Sequence, residues 1–226
     1  MSKEVNYIKM IKIKNSALVA FLTQNQPTDV GFVDKLKISY RPYICPFNDL
    51  LNLIPINSSV FDVGCGSGMF LSLVNQYRSP EKVFGIEISE KLIENANQLF
   101  KNNTTTKSTF KVYNGQHIPE EIKDYNYIVL IDVLHHVPLE KQEAFLTEIY
   151  STMSKNSTLI LKDINSSNPF YLWNKVHDFV FSGEIGNEPN PRKLTNRFEK
   201  MGFEIQKIEY KMMFLYPHFT LICKKN

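Results

Sequence analysis

Residues 60–68, Val60-Phe61-Asp62-Val63-Gly64-Cys65-Gly66-Ser67-Gly68, constrain the fold more than any other stretch of the chain. A short apolar strand runs into three glycines spaced two apart and then into a helix, whose apolar residues Phe70, Leu73, Val74 and Tyr77 recur at helical spacing up to Ser79-Pro80. Glycine lacks a Cβ, so the backbone can turn sharply here and approach a flat ligand closely. The helix that follows can aim its N-terminal N–H groups at the same space. The third glycine comes one residue too early for the G-x-G-x-x-G turn of dinucleotide sites. Asp62 would also set a carboxylate against a pyrophosphate across a dry crevice, so a phosphate ligand is disfavoured.

The rest of the chain alternates strands and helices, the pattern of a parallel sheet covered on both faces. Lys82–Ile86 reads as a second strand with Glu87 at its end, 19 residues after Gly68. In a βαβ unit an acid there lies beside the crevice and can take both hydroxyls of a ribose. Ser89 caps a helix with the apolar face Leu92, Ile93, Ala96, Leu99 and Phe100. A third strand, Thr109–Tyr113, leads into Asn114-Gly115-Gln116-His117. Tyr125–Ile131 is the most apolar strand, as expected of a central one buried on both faces, and it ends in Asp132-Val133-Leu134-His135-His136-Val137-Pro138. Pro138 suits the first turn of a helix carrying Phe145, Leu146, Ile149, Tyr150 and Met153. Thr158–Lys162 is a fifth strand.

Between that strand and the last helix, which starts at Asn190-Pro191 and stops at Gly202, residues 163–190 form an insert with Phe170, Trp173, Val176, His177 and Val180 at helical spacing. Such an insert sits over the carboxyl ends of the strands, where ligands bind, although an aromatic stripe of this kind is more often core than a ligand-contacting surface. His177 and Asp163 would be its polar contributors. Phe203–Tyr210 and Phe219–Cys223, joined through Leu215-Tyr216-Pro217, are close enough in sequence for an antiparallel pair. Before the glycine loop, residues 1–40 read as an arm, helical or irregular, that covers the sheet; its lysines alternating with Ile8, Met10, Ile11 and Ile13 alternatively suit a peripheral membrane contact. Tyr40-Arg41-Pro42-Tyr43 follows, and Arg41 reaches a ligand carboxylate or the substrate, or is a surface arginine.

The run Asp62-Val63-Gly64-Cys65-Gly66-Ser67-Gly68, the acid Glu87 and Asp132-Val133-Leu134-His135-His136-Val137-Pro138 together resemble the motifs of class I S-adenosylmethionine-dependent methyltransferases of the small-molecule type, over roughly residues 40–224. The resemblance implies an α/β, Rossmann-like, doubly wound seven-stranded sheet with an antiparallel last strand and helices on both faces, occupying residues 41–226. It implies S-adenosylmethionine as cofactor, whose sulfonium and α-amino group are positive and would suit Asp62. Asp62, Gly64, Cys65, Gly66, Glu87, Ile88, Asn114, Gly115 and Asp132 would line its site, with Asn114 accepting from the adenine amino group. His135 or His136 would be the general base, because imidazole titrates near neutral pH. Tyr40, Arg41, Trp173 and His177 would meet the acceptor. No metal is expected, since adjacent histidines point apart and no further ligand completes a set. The expected acceptor is a small molecule, a lipid or a sugar-linked compound. The rival readings are a nicotinamide-dependent oxidoreductase, which explains Glu87 but not Asp62, and a non-catalytic protein that binds S-adenosylmethionine.

Composition narrows this further. A net charge of +3 with scattered lysines does not demand a nucleic-acid groove, and the stretch Asp132–Pro138 lacks the forms that methyltransferases of bases carry there. Cys45, Cys65 and Cys223 are odd in number and far apart, which argues against a disulfide framework and points to a reducing cytoplasm. The apolar runs fall short of the ~20 residues that span a bilayer.

Overall fold

The computed structural model describes residues 10–25, 32–183 and 186–226. Its elements in chain order are α1 (Asn15–Gln24), α2 (Phe32–Ile44), α3 (Phe47–Asn52), β1 (Ser59–Val63), α4 (Met69–Arg78), β2 (Lys82–Glu87), α5 (Glu90–Phe100), β3 (Lys107–Val112), β4 (Tyr127–Ile131), α6 (Leu139–Thr152), β5 (Thr158–Ile164), α7 (Tyr171–Ser182), α8 (Pro191–Met201), β6 (Phe203–Met213) and β7 (Tyr216–Lys225). The strands form one seven-stranded sheet in the order β3-β2-β1-β4-β5-β7-β6. The first five are parallel, and β7 runs antiparallel to both β5 and β6.

Alternation along each strand builds two cores. Val60, Val129 and Ile160 face α3, α4 and α5, while Phe61, Leu130 and Leu161 face α6 and α8. The strand order reverses between β1 and β4, which opens a crevice at their carboxyl ends. Helix caps follow the sequence: the Ser89 hydroxyl accepts from Leu92 N–H and the Asn190 side chain from Lys193 N–H. All three cysteines are buried and free.

Two local readings are corrected, while α2 falls under the helical alternative for the arm: Pro42 lies near its end, and Ile38 and Cys45 bury into the core on either side. The closing hairpin is longer than its apolar runs. β7 already begins at Tyr216, and Pro217 is tolerated there because it lies beyond the last residue of β7 that pairs with β5. Asp163 belongs to β5, so the insert begins only after Ile164. Leu18 and Leu22 of α1 belong to the same core as the sheet. Ile8 and Pro27 of the N-terminal stretch lie outside the described residues.

Candidate cofactor and active site

At the end of β1 the chain must leave the sheet and turn under a ligand. Gly64 has φ +79°, and a Cβ there would lie 2.4 Å from a methyl of Val133, so any side chain is excluded by conformation and by space. Gly66 also has positive φ, but a Cβ on it would meet nothing within 4 Å. That opening belongs to a cavity of about 810 Å³, the size of a cofactor site. The lining comes from the ends of four adjacent strands: Gly64, Cys65 and Gly66 after β1, Glu87 and Ile88 at β2, Gly115 after β3, and Asp132 and His136 after β4.

Asp62 is 2% exposed and its Oδ1 has no hydrogen-bond partner. Burial, reinforced by the nearby Glu87 carboxylate, pushes its carboxyl up to about 8. A buried oxygen of this kind calls for a donor, and the cavity is the side from which one can come. Glu87 differs in being fixed by backbone: one oxygen accepts from Ile88 N–H (2.8 Å) and Ser89 N–H (3.1 Å), the other from Gly66 N–H (3.1 Å). It is thereby held at the crevice with lone pairs to spare. Asn114 departs from its expected role. Its side-chain oxygen accepts from Gln116 N–H (2.9 Å) and His117 N–H (3.2 Å), closing its own turn, and the turn reaches the cavity through Gly115 and Gln116 instead.

At the end of β4, Asp132 takes φ +56° and lies between Lys162 Nζ (2.5 Å) and Arg41 Nη2 (3.1 Å). Burial opposes its ionisation, but the two cations outweigh that and hold the carboxyl well below the usual range. Lys162 is 1% exposed at the end of β5, whereas Arg41 reaches the cavity. Lys162 carries no local signal of this role and reads in sequence as the polar stop of an apolar strand.

The histidine pair divides. His135 is buried; its Nδ1 lies 2.7 Å from Asp163 Oδ1, its backbone N–H donates to Asp163 Oδ2, and Asp178 stands 3.6 Å from Nε2. Burial disfavours its charge, yet Asp163 prevails and raises the imidazole to about 9. A group that already carries its proton at neutral pH and does not line the cavity is not placed to act as a base there. The His136 ring packs against it, tilted by 42° with centroids 4.0 Å apart, and lines the cavity. Among the described residues no cluster of three metal-ligating side chains is present. Tyr40 and His177 join α2 to α7 through a 2.8 Å hydroxyl–imidazole hydrogen bond, and Trp173 of α7 is half exposed. Tyr40, His177 and Trp173 are not in the lining of the cavity.

The model of a methyltransferase domain family matches residues 37–208, from α2 through most of β6. The chain belongs to that family. S-adenosylmethionine is the cofactor of such a methyltransferase domain, and the orphaned oxygen of Asp62, the open space over Gly66 and the fixed Glu87 fit its cationic amino acid end and its ribose. Among solved structures, the domain is similar to magnesium protoporphyrin IX methyltransferase from Synechocystis PCC 6803 with bound SAH, at 20% identity and TM-score 0.68 over 94% of this chain and 96% of that one. It is also similar to a TehB-like SAM-dependent methyltransferase from Corynebacterium glutamicum, at 14% identity and TM-score 0.57 over 80% and 86%. An uncharacterized protein of Haemophilus influenzae is 28% identical over 117 residues, 49% of this chain and 44% of that protein. The match therefore spans less than half the length of this curated relative.

Proposed function

We propose that this methyltransferase domain transfers the methyl group of S-adenosylmethionine to a small-molecule acceptor, with lipid- or sugar-linked compounds as the narrower classes. The observation that carries this reading is the buried, unpartnered Asp62 oxygen facing the same cavity as the backbone-fixed Glu87. Two similar structures have names that point to small compounds, magnesium protoporphyrin IX methyltransferase and the pyocyanin biosynthetic protein PhzM.

In this reading Asp62 takes the ammonium, Glu87 the ribose hydroxyls, and Ile88 covers the adenine with its exposed apolar side chain. Gly64, Cys65, Gly66 and the Gly115 turn give the floor its close approach, and Asp132 fixes the Arg41 guanidinium at the cavity wall for a carboxylate of cofactor or acceptor. Bound S-adenosylmethionine supplies a methyl on a good leaving group, so what remains for the chain is alignment, exclusion of water and removal of an acceptor proton. His136 faces the cavity and is the group offered for that proton; His135 holds it from behind as a fixed cation. Tyr40 and His177, bonded between α2 and α7, and Trp173 of α7 close the acceptor side.

Calorimetric titration with S-adenosylmethionine, its demethylated product and NAD tests the reading. Binding of the first two, weakened by Asp62→Ala and Glu87→Ala, is the expected result; binding of NAD alone overturns it. A protein that binds the cofactor yet methylates no member of a broad acceptor panel would be the non-catalytic rival.

A further inference from the structure

α3 is six residues long, and a helix shorter than ~12–15 residues does not hold itself in water, so its order is supplied by its neighbours. Part of that support comes from an extended stretch before α1. The Asn48 amide accepts from Ile13 N–H (2.8 Å) and donates to Ile13 C=O (2.7 Å), and the Asn52 amide does the same for Ile11 (2.8 and 2.9 Å). In an extended residue both backbone groups point to one side, where a carboxamide offers an acceptor and a donor together. The spacing matches as well, because two extended residues span about 6.8 Å and four helical residues rise about 6 Å. Both clamps therefore close at once.

The clamps grip backbone, and the stretch they hold is otherwise lightly packed. Ile11 and Ile13 turn toward the core but are only half-buried, Lys12 and Lys14 are outside, and Met10 is 74% exposed beside a cavity of about 540 Å³ between α3 and β6. Asn52 is set for its task by the buried Arg78, whose Nη2 donates to the same Oδ1 (2.5 Å) and so fixes which end of the amide meets Ile11 N–H.

Another face of α3 belongs to the cofactor cavity. Phe47, next to Asn48, lines that cavity and stacks on Phe70 (6.2 Å), which lines it too. Arg41 is joined to the start of α3 by consecutive backbone bonds, from Cys45 N–H to Arg41 C=O (2.8 Å) and from Phe47 N–H to Cys45 C=O (2.8 Å). The extended stretch and the cavity thus meet one short helix on two sides. A ligand that needs α3 ordered binds more tightly where the clamps have already ordered it.

We propose that residues 11–13 form a strap whose docking on α3 and the binding of cofactor favour each other, so that lifting the strap loosens the Arg41–Phe47 wall of the cavity. This rests on the reading that the cavity takes S-adenosylmethionine. The coupling is reciprocal: the factor by which the cofactor holds the strap down is the factor by which the strap tightens the cofactor.

Lys12 is exposed between the two clamped residues, so trypsin cuts after it in proportion to the population with the strap lifted. The full chain is digested with and without a saturating amount of the demethylated product of S-adenosylmethionine, and the cut sites are read by mass spectrometry. The product should slow cutting after Lys12 about tenfold or more and leave cutting after Lys101, in the loop beyond α5, within about twofold. Asn48→Ala removes one clamp without touching the partner of Arg78; it should speed cutting after Lys12 and weaken binding of the product, measured by calorimetry, about 5- to 10-fold. Asn48→Asp, which keeps the acceptor and loses the donor, serves if the alanine variant lowers the melting temperature. Cutting after Lys12 that ignores the product overturns the proposal, as does wild-type affinity in a folded variant whose strap is cut faster. A wild type that binds no product overturns the cofactor reading and this proposal together, whereas those two results with binding intact overturn this one alone.

Discussion

Asp62 and Asp132 stand at the ends of adjacent strands β1 and β4, both line the same cavity, and they are opposites. Asp62 is buried with an unpartnered oxygen, and its carboxyl is raised to about 8. Asp132 is gripped by Lys162 and Arg41, and its carboxyl is held far below the usual range. One carboxylate has no cation from the chain; the other has two. In the proposed reading the β1 end is the receptor, and the β4 end is a fixed electrostatic wall from which the Arg41 guanidinium reaches the cavity.

The contrast breaks most visibly in stability. Removing the buried ammonium with Lys162→Met leaves Asp132 with Arg41 alone, and urea denaturation should show a loss of about 3–5 kcal/mol, the usual cost of halving a buried pair. A near-neutral result would mean that water reaches Asp132 and that the wall is not fixed.

His135 extends the wall, and His135→Gln should cost about 2–3 kcal/mol at pH 7. Its folded value of about 9 lies above the ordinary imidazole value of about 6.5. The contribution is thus complete below pH 6.5 and disappears as pH rises through 9, so the gap between wild type and variant should close across that window.

At the receptor end the effect moves from stability to binding. Asp62→Asn replaces a group that is mostly protonated at pH 7, so thermal stability should change by less than about 1 kcal/mol. Affinity for S-adenosylmethionine should fall about 10- to 100-fold as a charge-assisted hydrogen bond is lost. Equal damage to stability and affinity would erase the distinction between the two aspartates.

The smallest effect sharpens the comparison most. At pH 7 Asp62 holds its proton, and an incoming ammonium favours the ionised form, so cofactor binding should release up to about one proton. Calorimetry in buffers of different ionisation enthalpy measures this. The release should vanish in Asp62→Asn and persist in Arg41→Gln.

Much of the fold was legible because its signals are local. The glycines after β1, the apolar run of β4 and the caps at Ser89 and Asn190 each act within a few residues, and their periodicity names the element. α2 was left open between helix and irregular chain, because its end carries Pro42 and the contacts that hold it, Ile38 and Cys45 in the core, are made far along the chain. In the site, Glu87 could be placed from spacing alone, since a βαβ unit has a nearly fixed length. Asn114 could not, because a short amide side chain can equally close its own turn, as it does here, or face the crevice, and spacing does not tell the two apart.

The sequence by itself determined the sheet, the turn beneath the cavity and the kind of ligand the turn admits, because these follow from backbone freedom and alternating burial. Only the tertiary structure decided which charges are already spoken for. Asp132 meets Lys162 across 30 residues and Arg41 across 91, and His135 meets Asp163 across 28. Charge states in a buried site depend on partners brought together by the fold and on the water it excludes, and neither is written in the neighbourhood of the residue itself.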